Sequence, residues 1–283
     1  MNTDIESRSK IMRDPAGRDV KILEEHLALE VGQAHGLALH EVYTKALRLG
    51  ICPYRYLRNR EIISLEEQLR LAEARVAVVG AGGLGGSVIS LLGRTGVGHL
   101  VVVDSDVFDE TNLNRQAFSN TGNLGKPKAE EARSQMKHIN PAVEVTVFQT
   151  RMEEANGKML LAGCQVAVDA LDNVETRLVL EAAAQALCIP LVHGALAGFE
   201  GQIMSLMPGD EGLRRIYGKK KKGAENPPRP EAVLGVPGIT PALIAAFQAM
   251  EVIKILLNRG NPFRNTMVYL DLERGEVNRF RFD

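Results

Sequence analysis

Apolar positions along the chain follow two rhythms, and their alternation predicts the fold. VAVVG at 76–80 is a short, continuous, β-branched run closing in glycine, the pattern of a parallel strand buried on both faces. HLVVVD at 99–104 and QVAVDAL at 165–171 repeat it. VEVTVFQ at 143–149 alternates with period two, and PLVHG at 190–194 and GQIMSLM at 201–207 add two further strands. Helical spacing fills the intervals. Residues 61–73 open on Ser64 with Glu67 three positions on, a capping box. SVISLLGRTG at 87–96, Lys126 to Ile139 and Glu175 to Leu187 follow, and Asn140-Pro141 stops the second of these. This alternation predicts an α/β fold with a doubly wound, mostly parallel sheet.

The two ends depart from that pattern. Residues 1–15 are polar and expected to fray, whereas Asp19 to Leu49 places Ile22, Leu23, His26, Leu27 and Leu29 at helical spacing. Gly32 and Gly36 suggest a break between two helices, and Gly50 a helix end. The expectation is an N-terminal helical module over 1–53, followed by one domain over 54–283. Within the latter, 208–238 is a glycine-rich crossover loop with five prolines and the run Lys219–Lys222. Such a run is usually a solvated face; the functional reading is that it guides an acidic partner. Thr240 is expected to cap a mostly apolar, central helix with Pro241 at its first position. MVYLDL and VNRFRF then read as a closing hairpin with Gly275 in the turn.

Composition narrows the class. The chain has 34 Lys+Arg against 35 Asp+Glu, a net charge of −1, which argues against a dedicated nucleic-acid binder. The polar N-terminus resembles no signal peptide, and no apolar run approaches the roughly 20 residues of a membrane span. Cys52, Cys164 and Cys188 are odd in number and form no C-x-x-C pair, so the expected compartment is the reducing cytoplasm. Cys164 and Cys188 read as core residues, and Cys52 as the one with a chance of exposure. Packing is the reading for His26 and His40.

The chemistry begins at Gly80-Ala-Gly82-Gly83-Leu84-Gly85, which fits G-x-G-x-x-G directly after a strand, with Asp104 nineteen residues past Gly85 at the end of the next. Glycines admit a close backbone approach, the helix N-terminus attracts phosphate, and the acid holds ribose hydroxyls. The loop lacks G-K-[ST], so it is no P-loop. Alone it fits a dehydrogenase as well as a nucleotidyltransferase. Asn112-Leu-Asn114-Arg115-Gln116 and Gly125-Lys-Pro-Lys128 tip the balance, because reaction at an α-phosphate needs cations for the charge gathering on the phosphoryl oxygens. Asp172, at the end of its strand, would hold Mg²⁺ with the pyrophosphate.

With these segments in place the chain resembles the HesA/MoeB/ThiF family, bacterial relatives of ubiquitin-activating enzymes. Arg55-Tyr-Leu-Arg58, GAGGLGG, VVVDSD, NLNRQ, GKPKAE, HINP, DALDN with Thr176-Arg177, and QAMEVIK carry the likeness. They run in family order from about residue 55 to 275. The resemblance implies a Rossmann-like ATP-binding fold, a homodimer, and MgATP-dependent adenylation of the C-terminal glycine of a ubiquitin-like sulfur-carrier protein ending in Gly-Gly. It implies that Gly80, Gly82 and Gly83 approach the phosphates, that Asp104 holds the ribose with Asn112 nearby, and that Arg115 and Lys128 bind the triphosphate. It places Mg²⁺ on Asp172, adds Gln116 and Asn173 as further contacts, and sends Arg58 to the γ-phosphate of the neighbouring subunit. Solvated surface charge is the competing reading for Arg58, Arg115 and Lys128.

The chain also departs from the family. Neither zinc-binding C-x-x-C pair is present, one of which would fall near Gly212 to Arg215, so no structural zinc is expected. The crossover loop has no cysteine, the family position falling near Glu231, so the chemistry is expected to stop at the acyl-adenylate. Three rivals stay open: adenylation of a peptide or small-molecule carboxylate, a non-catalytic nucleotide-binding partner subunit, and an NAD-dependent dehydrogenase.

Overall fold

The computed structural model describes residues 1–218 and 229–282. The Lys219–Lys222 run therefore lies outside the described residues. The chain begins with α1 (Asn2–Arg8), β1 (Lys10–Arg13), β2 (Asp19–Leu23), α2 (Glu25–His35), α3 (Leu39–Arg48) and β3 (Cys52–Pro53). These elements correct three expectations. Residues 2–13 form a helix and a strand instead of fraying, because Ile5 packs into the N-terminal core and β1 pairs antiparallel with β2. Asp19–Leu23 is strand, not helix, and β2 pairs in parallel with β3 in a three-stranded sheet. Gly32 is no break. It sits inside α2, where a Cβ would meet the Leu37 carbonyl at 2.7 Å, and the helix ends at Gly36. The core around Ile22, Val31, Val42 and Tyr43 extends to Tyr56, Leu57 and Ala142, so it reaches past residue 53.

The main sheet follows: α4 (Leu65–Glu73), β4 (Arg75–Val79), α5 (Gly83–Thr95), β5 (His99–Val103), α6 (Lys128–Ile139), β6 (Glu144–Phe148), α7 (Gly157–Leu160), β7 (Val166–Asp169), α8 (Val174–Ala186), β8 (Leu191–Ala197), β9 (Glu200–Leu206), α9 (Arg214–Tyr217), α10 (Pro230–Leu234), α11 (Ile239–Leu257), β10 (Thr266–Asp271) and β11 (Glu276–Arg281). Strand order is β11-β10-β9-β8-β7-β4-β5-β6. The strands from β8 to β6 pair in parallel, while β9, β10 and β11 add an antiparallel edge. Side chains alternate between two cores. Val76, Val78, Leu100 and Val102 pack with α5, α6 and α11; Ala77, Val79, Val101 and Val103 pack with α7 and α8. Burial on both faces is why these strands read as unbroken apolar runs.

Two details of α11 differ from expectation. The helix starts at Ile239 with Gly238 as its cap, so Pro241 is its third residue. The Thr240 hydroxyl donates to the Gly198 carbonyl at 2.8 Å instead of capping. By length and composition α11 could cross a membrane; here it packs on α5, β8 and β9. The expected hairpin is β10 and β11, with Gly275 at positive φ in its turn.

Candidate active site

Chain order across the parallel strands reverses between β4 and β7, since β4 lies between β5 and β7. Loops leaving the carboxyl ends of such neighbours part and open a crevice, the usual ligand position in open α/β sheets. Here the loop after β4 is the glycine loop and the loop after β7 holds Asp172. Gly80 turns with φ +97°, and a Cβ there would press on the Ala170 carbonyl at 2.5 Å. Gly85 tolerates no side chain either, because its Cβ would lie 1.7 Å from the Gly80 carbonyl oxygen. The loop thus folds tightly over the start of α5. Gly82 caps that helix without a side chain, leaving first-turn N–H groups for water or an anion.

The acid at the end of β5 fixes this loop. Asp104 accepts the Ala81 N–H at 2.6 Å and the Asp106 N–H at 2.7 Å. Burial pushes its carboxyl above the ordinary range, and the N–H donors and Lys128 partly offset that. The NLNRQ segment closes the crevice from the side. Asn112 is buried and accepts the Asp109 N–H at 3.1 Å. Arg115 runs past Gly83 and donates to the Thr111 carbonyl and the Asn114 amide oxygen, with no ion pair among the described residues. Gln116 lies against Gly82, and its Oε1 is buried without a partner. Asn114 Nδ2 reaches the Val236 carbonyl at 3.0 Å, and Pro241 packs beside Gly83.

Lys128 is the first residue of α6 and its side chain is 9% exposed. Its Nζ lies 3.2 Å from Asp106 Oδ2. A cation beside the positive end of a helix opposes the helix dipole, so the position is poor for stability and strong for attracting anions. Across the crevice, β7 ends at Asp169, and Asp172 lies three residues beyond the strand instead of ending it. Its carboxylate is 75% exposed; Oδ2 lies 3.3 Å from Arg229 and Oδ1 accepts from Asn173 Nδ2 at 3.2 Å. Asn173 caps α8 by accepting the Thr176 N–H at 2.9 Å.

The structure gathers Gly80, Gly82, Gly83, Asp104, Asn112, Arg115, Gln116 and Lys128 on the edges of one crevice, with Asp172 and Asn173 on its far lip. It does not bring Arg58 to them. Arg58 is exposed in the turn before α4, and its neighbour Asn59 donates to the Thr95 carbonyl at the far end of α5. That helix is 13 residues long, about 20 Å, which separates Arg58 from the glycine loop of its own chain.

Sequence reasoning missed a buried polar ring beneath Asp172, made by Asp169, Arg177, His193 and Tyr217. Its signal was an Asp and a His inside otherwise apolar strands. Two cysteine expectations are reversed. Cys52 is buried in β3, where burial raises its thiol pKa to about 11, and Cys188 is exposed, with φ +54° just past α8. His26 is exposed, against the packing reading, while His40 packs edge-on to His99. Gly212, near the position of the family's first zinc pair, leaves no room for a Cβ, which would lie 1.1 Å from Glu181 Oε1. Among the described residues no His, Cys, Asp or Glu cluster could hold a metal on its own.

Comparison with known proteins decides the family, because the model of the ThiF family matches residues 56–283. The chain belongs to the ThiF family. The "SAMP-activating enzyme E1" of Haloferax volcanii is 38% identical over 219 residues, covering 77% of this chain and 80% of that protein. The "Sulfur carrier protein adenylyltransferase" of Thermus thermophilus is 36% identical over 217 residues, covering 73% and 78%. The "Molybdopterin-synthase adenylyltransferase" of Salmonella typhimurium is 33% identical over 222 residues, covering 75% and 86%. Among solved structures, Escherichia coli MccB superposes with a TM-score of 0.68 at 19% identity, over 80% of this chain and 72% of that one. PaaA gives 0.67 at 18%, over 81% and 82%. At such identities the structures establish the shared fold alone. This ThiF-family chain therefore has the Rossmann-like architecture its sequence predicts.

Proposed function

We propose that this ThiF-family chain uses ATP to adenylate the C-terminal glycine carboxylate of a ubiquitin-like sulfur-carrier protein, releasing pyrophosphate. The observation that carries the reading is the convergence at the strand-order reversal of an uncapped helix N-terminus, Arg115 and the buried Lys128. A hydride-transfer site has no need of that cationic set. The names of the relatives from Haloferax, Thermus and Salmonella support the same chemistry.

The residues present fit the nucleotide. Gly82 and Gly83 leave the loop bare of side chains, and the orphaned Gln116 Oε1 beside Gly82 is an acceptor awaiting a donor. Asp104 would hold the ribose hydroxyls through the second lone pairs of its oxygens, with Asn112 nearby. Arg115 and Lys128 would bind the triphosphate and stabilise the charge gathering on the α-phosphoryl oxygens. Asp172 and Asn173 would face the phosphates across the crevice, and Asp172 would hold Mg²⁺. When bound, that ion would neutralise phosphate charge. The carrier's ionised carboxylate forms a bond to the α-phosphorus as the bond to the β-phosphate oxygen breaks, and the electron pair leaves with pyrophosphate. An ionised carboxylate needs no general base, so orientation and fixed charge supply most of the rate.

The same reading includes a homodimer in which Arg58 acts in trans, since it is too far from the glycine loop of its own chain. It includes residues 1–53 as an N-terminal module whose core continues into Tyr56, Leu57 and Ala142, an acyl-adenylate end point without structural zinc, and a reducing compartment that suits three unpaired cysteines. Exchange of labelled pyrophosphate into ATP, dependent on a carrier ending in Gly-Gly, tests the proposal. Exchange that needs no carrier, or displacement of ATP by NAD, would reject it.

A further inference from the structure

A ring of polar side chains, linked by hydrogen bonds and one ion pair, lies beneath Asp172, and none of the roles above uses it. Asp169, the last residue of β7, and His193 of β8 are both 0% exposed. His193 Nδ1 lies 2.7 Å from Asp169 Oδ2. On its other side, His193 Nε2 lies 3.2 Å from Tyr217 Oη and 3.3 Å from Gln202 Nε2. Arg177 donates to Tyr217 Oη, and its Nε lies 3.6 Å from Asp169 Oδ2. Gln248 of α11 donates to the Asp169 carbonyl at 2.8 Å. Burying groups this polar costs least when charges are paired and hydrogen bonds made. One proton arrangement pairs the charges and makes the bonds named here, leaving only Arg177 Nε and Gln248 Oε1 of these side chains without a hydrogen-bond partner. Neutral His193 donates from Nδ1 to the Asp169 carboxylate, accepts the Tyr217 O–H at Nε2, and Tyr217 oxygen accepts from Arg177. Burial keeps the His193 imidazole neutral against the pull of Asp169.

The output of the ring is the residue before Asp172. Asp169 Oδ1 accepts the Leu171 N–H at 3.0 Å, and Arg177 Nη2 donates to the Leu171 carbonyl at 2.6 Å. That carbonyl belongs to the peptide bond joining Leu171 to Asp172. The two members of one ion pair therefore grip both backbone polar groups of Leu171. We propose that His193 and Tyr217 are positioning residues: by orienting Asp169 and Arg177 they fix the Leu171 backbone and so place the Asp172 carboxylate. The inference rests on the adenylation reading for its kinetic consequence, not for its structural one.

The test is Tyr217→Phe, made in the wild type and in Asp172→Asn, with His193→Ala and the donor-retaining His193→Asn beside it. In the wild type Tyr217→Phe should lower kcat for pyrophosphate exchange on the order of tenfold, raise the half-saturating Mg²⁺ concentration and leave KM for the carrier unchanged. In Asp172→Asn it should have no further effect. The Leu171 amide should exchange its hydrogen at least ~10-fold faster in Tyr217→Phe and His193→Ala, with Val168 unchanged and His193→Asn near wild type. An equal loss of rate in the Asp172→Asn background, or a Leu171 amide protected as in the wild type, overturns the proposal. If the wild type shows no exchange with any carrier, the adenylation reading fails, and amide exchange at Leu171 still decides the ring.

Discussion

Lys128→Met separates catalysis from folding at the centre of the site. Methionine keeps the buried stem of a side chain that is 9% exposed and removes only the charge. The structural loss is the 3.2 Å pair with Asp106. Bare Coulomb attraction at that distance is about 1 kcal/mol in water and about 5 kcal/mol at an effective dielectric constant of ~20. Asp106 is 62% exposed, so solvent screening sets the net value at about 0–1 kcal/mol. For a domain of this size that is a Tm decrease of about 2–4 °C at most. The catalytic loss is of another order. Removing one preorganised charge or donor from a developing phosphoryl oxyanion costs about 3–4 kcal/mol, a 10²–10³-fold drop in kcat. Pyrophosphate exchange and thermal melting on the same sample measure both. A rate within about threefold of wild type would refute the role given to Lys128. A Tm fall above about 8 °C would show the charge to be a folding element instead.

Asp172→Asn should cut exchange about 10²-fold and leave Tm unchanged, because its partner Arg229 is also exposed; a lower Tm would make Asp172 structural. Mixing Arg58→Ala with Lys128→Met subunits should restore exchange, since the mixed dimer has one site with both groups intact; no restoration would remove the trans role. Burial holds the folded His193 pKa below its ordinary 6.5, so its contribution to stability is present above pH 6.5 and lost as pH falls towards the lowered value. His193→Gln should flatten the decline of Tm between pH 6.5 and 5, and an unchanged slope would contradict a neutral His193. Alkylation of the native protein should label Cys188 and spare Cys52 and Cys164, as peptide mapping would establish.

The strands of the main sheet were legible because burial on both faces forces unbroken β-branched runs. VAVVG was read at 76–80 and β4 is Arg75–Val79. The ends were misread where a non-local partner decides. DVKIL at 19–23 fits helix or strand alone, and pairing with β1 and β3 makes it strand. Thr240 looked like a cap, but its hydroxyl is taken by Gly198, 42 residues earlier. Cysteine exposure depended on the same distant contacts, with Cys52 covered in β3 and Cys188 turned outward at positive φ. The crevice residues were legible because spacing along the chain maps onto the carboxyl ends of successive strands. The ring was not, because Tyr217 meets His193 across 24 residues and Arg177 across 40. Asp169 within QVAVDAL and His193 within PLVHG were its local signs.

Mass spectrometry of a Gly-Gly-ending carrier incubated with this protein and MgATP tests the central claim most directly. The account predicts a carrier heavier by one adenylyl group on its terminal carboxylate, formed with pyrophosphate and absent when the last glycine is removed or Lys128 is replaced by Met. A carrier of unchanged mass, with ATP bound and uncleaved, would contradict it.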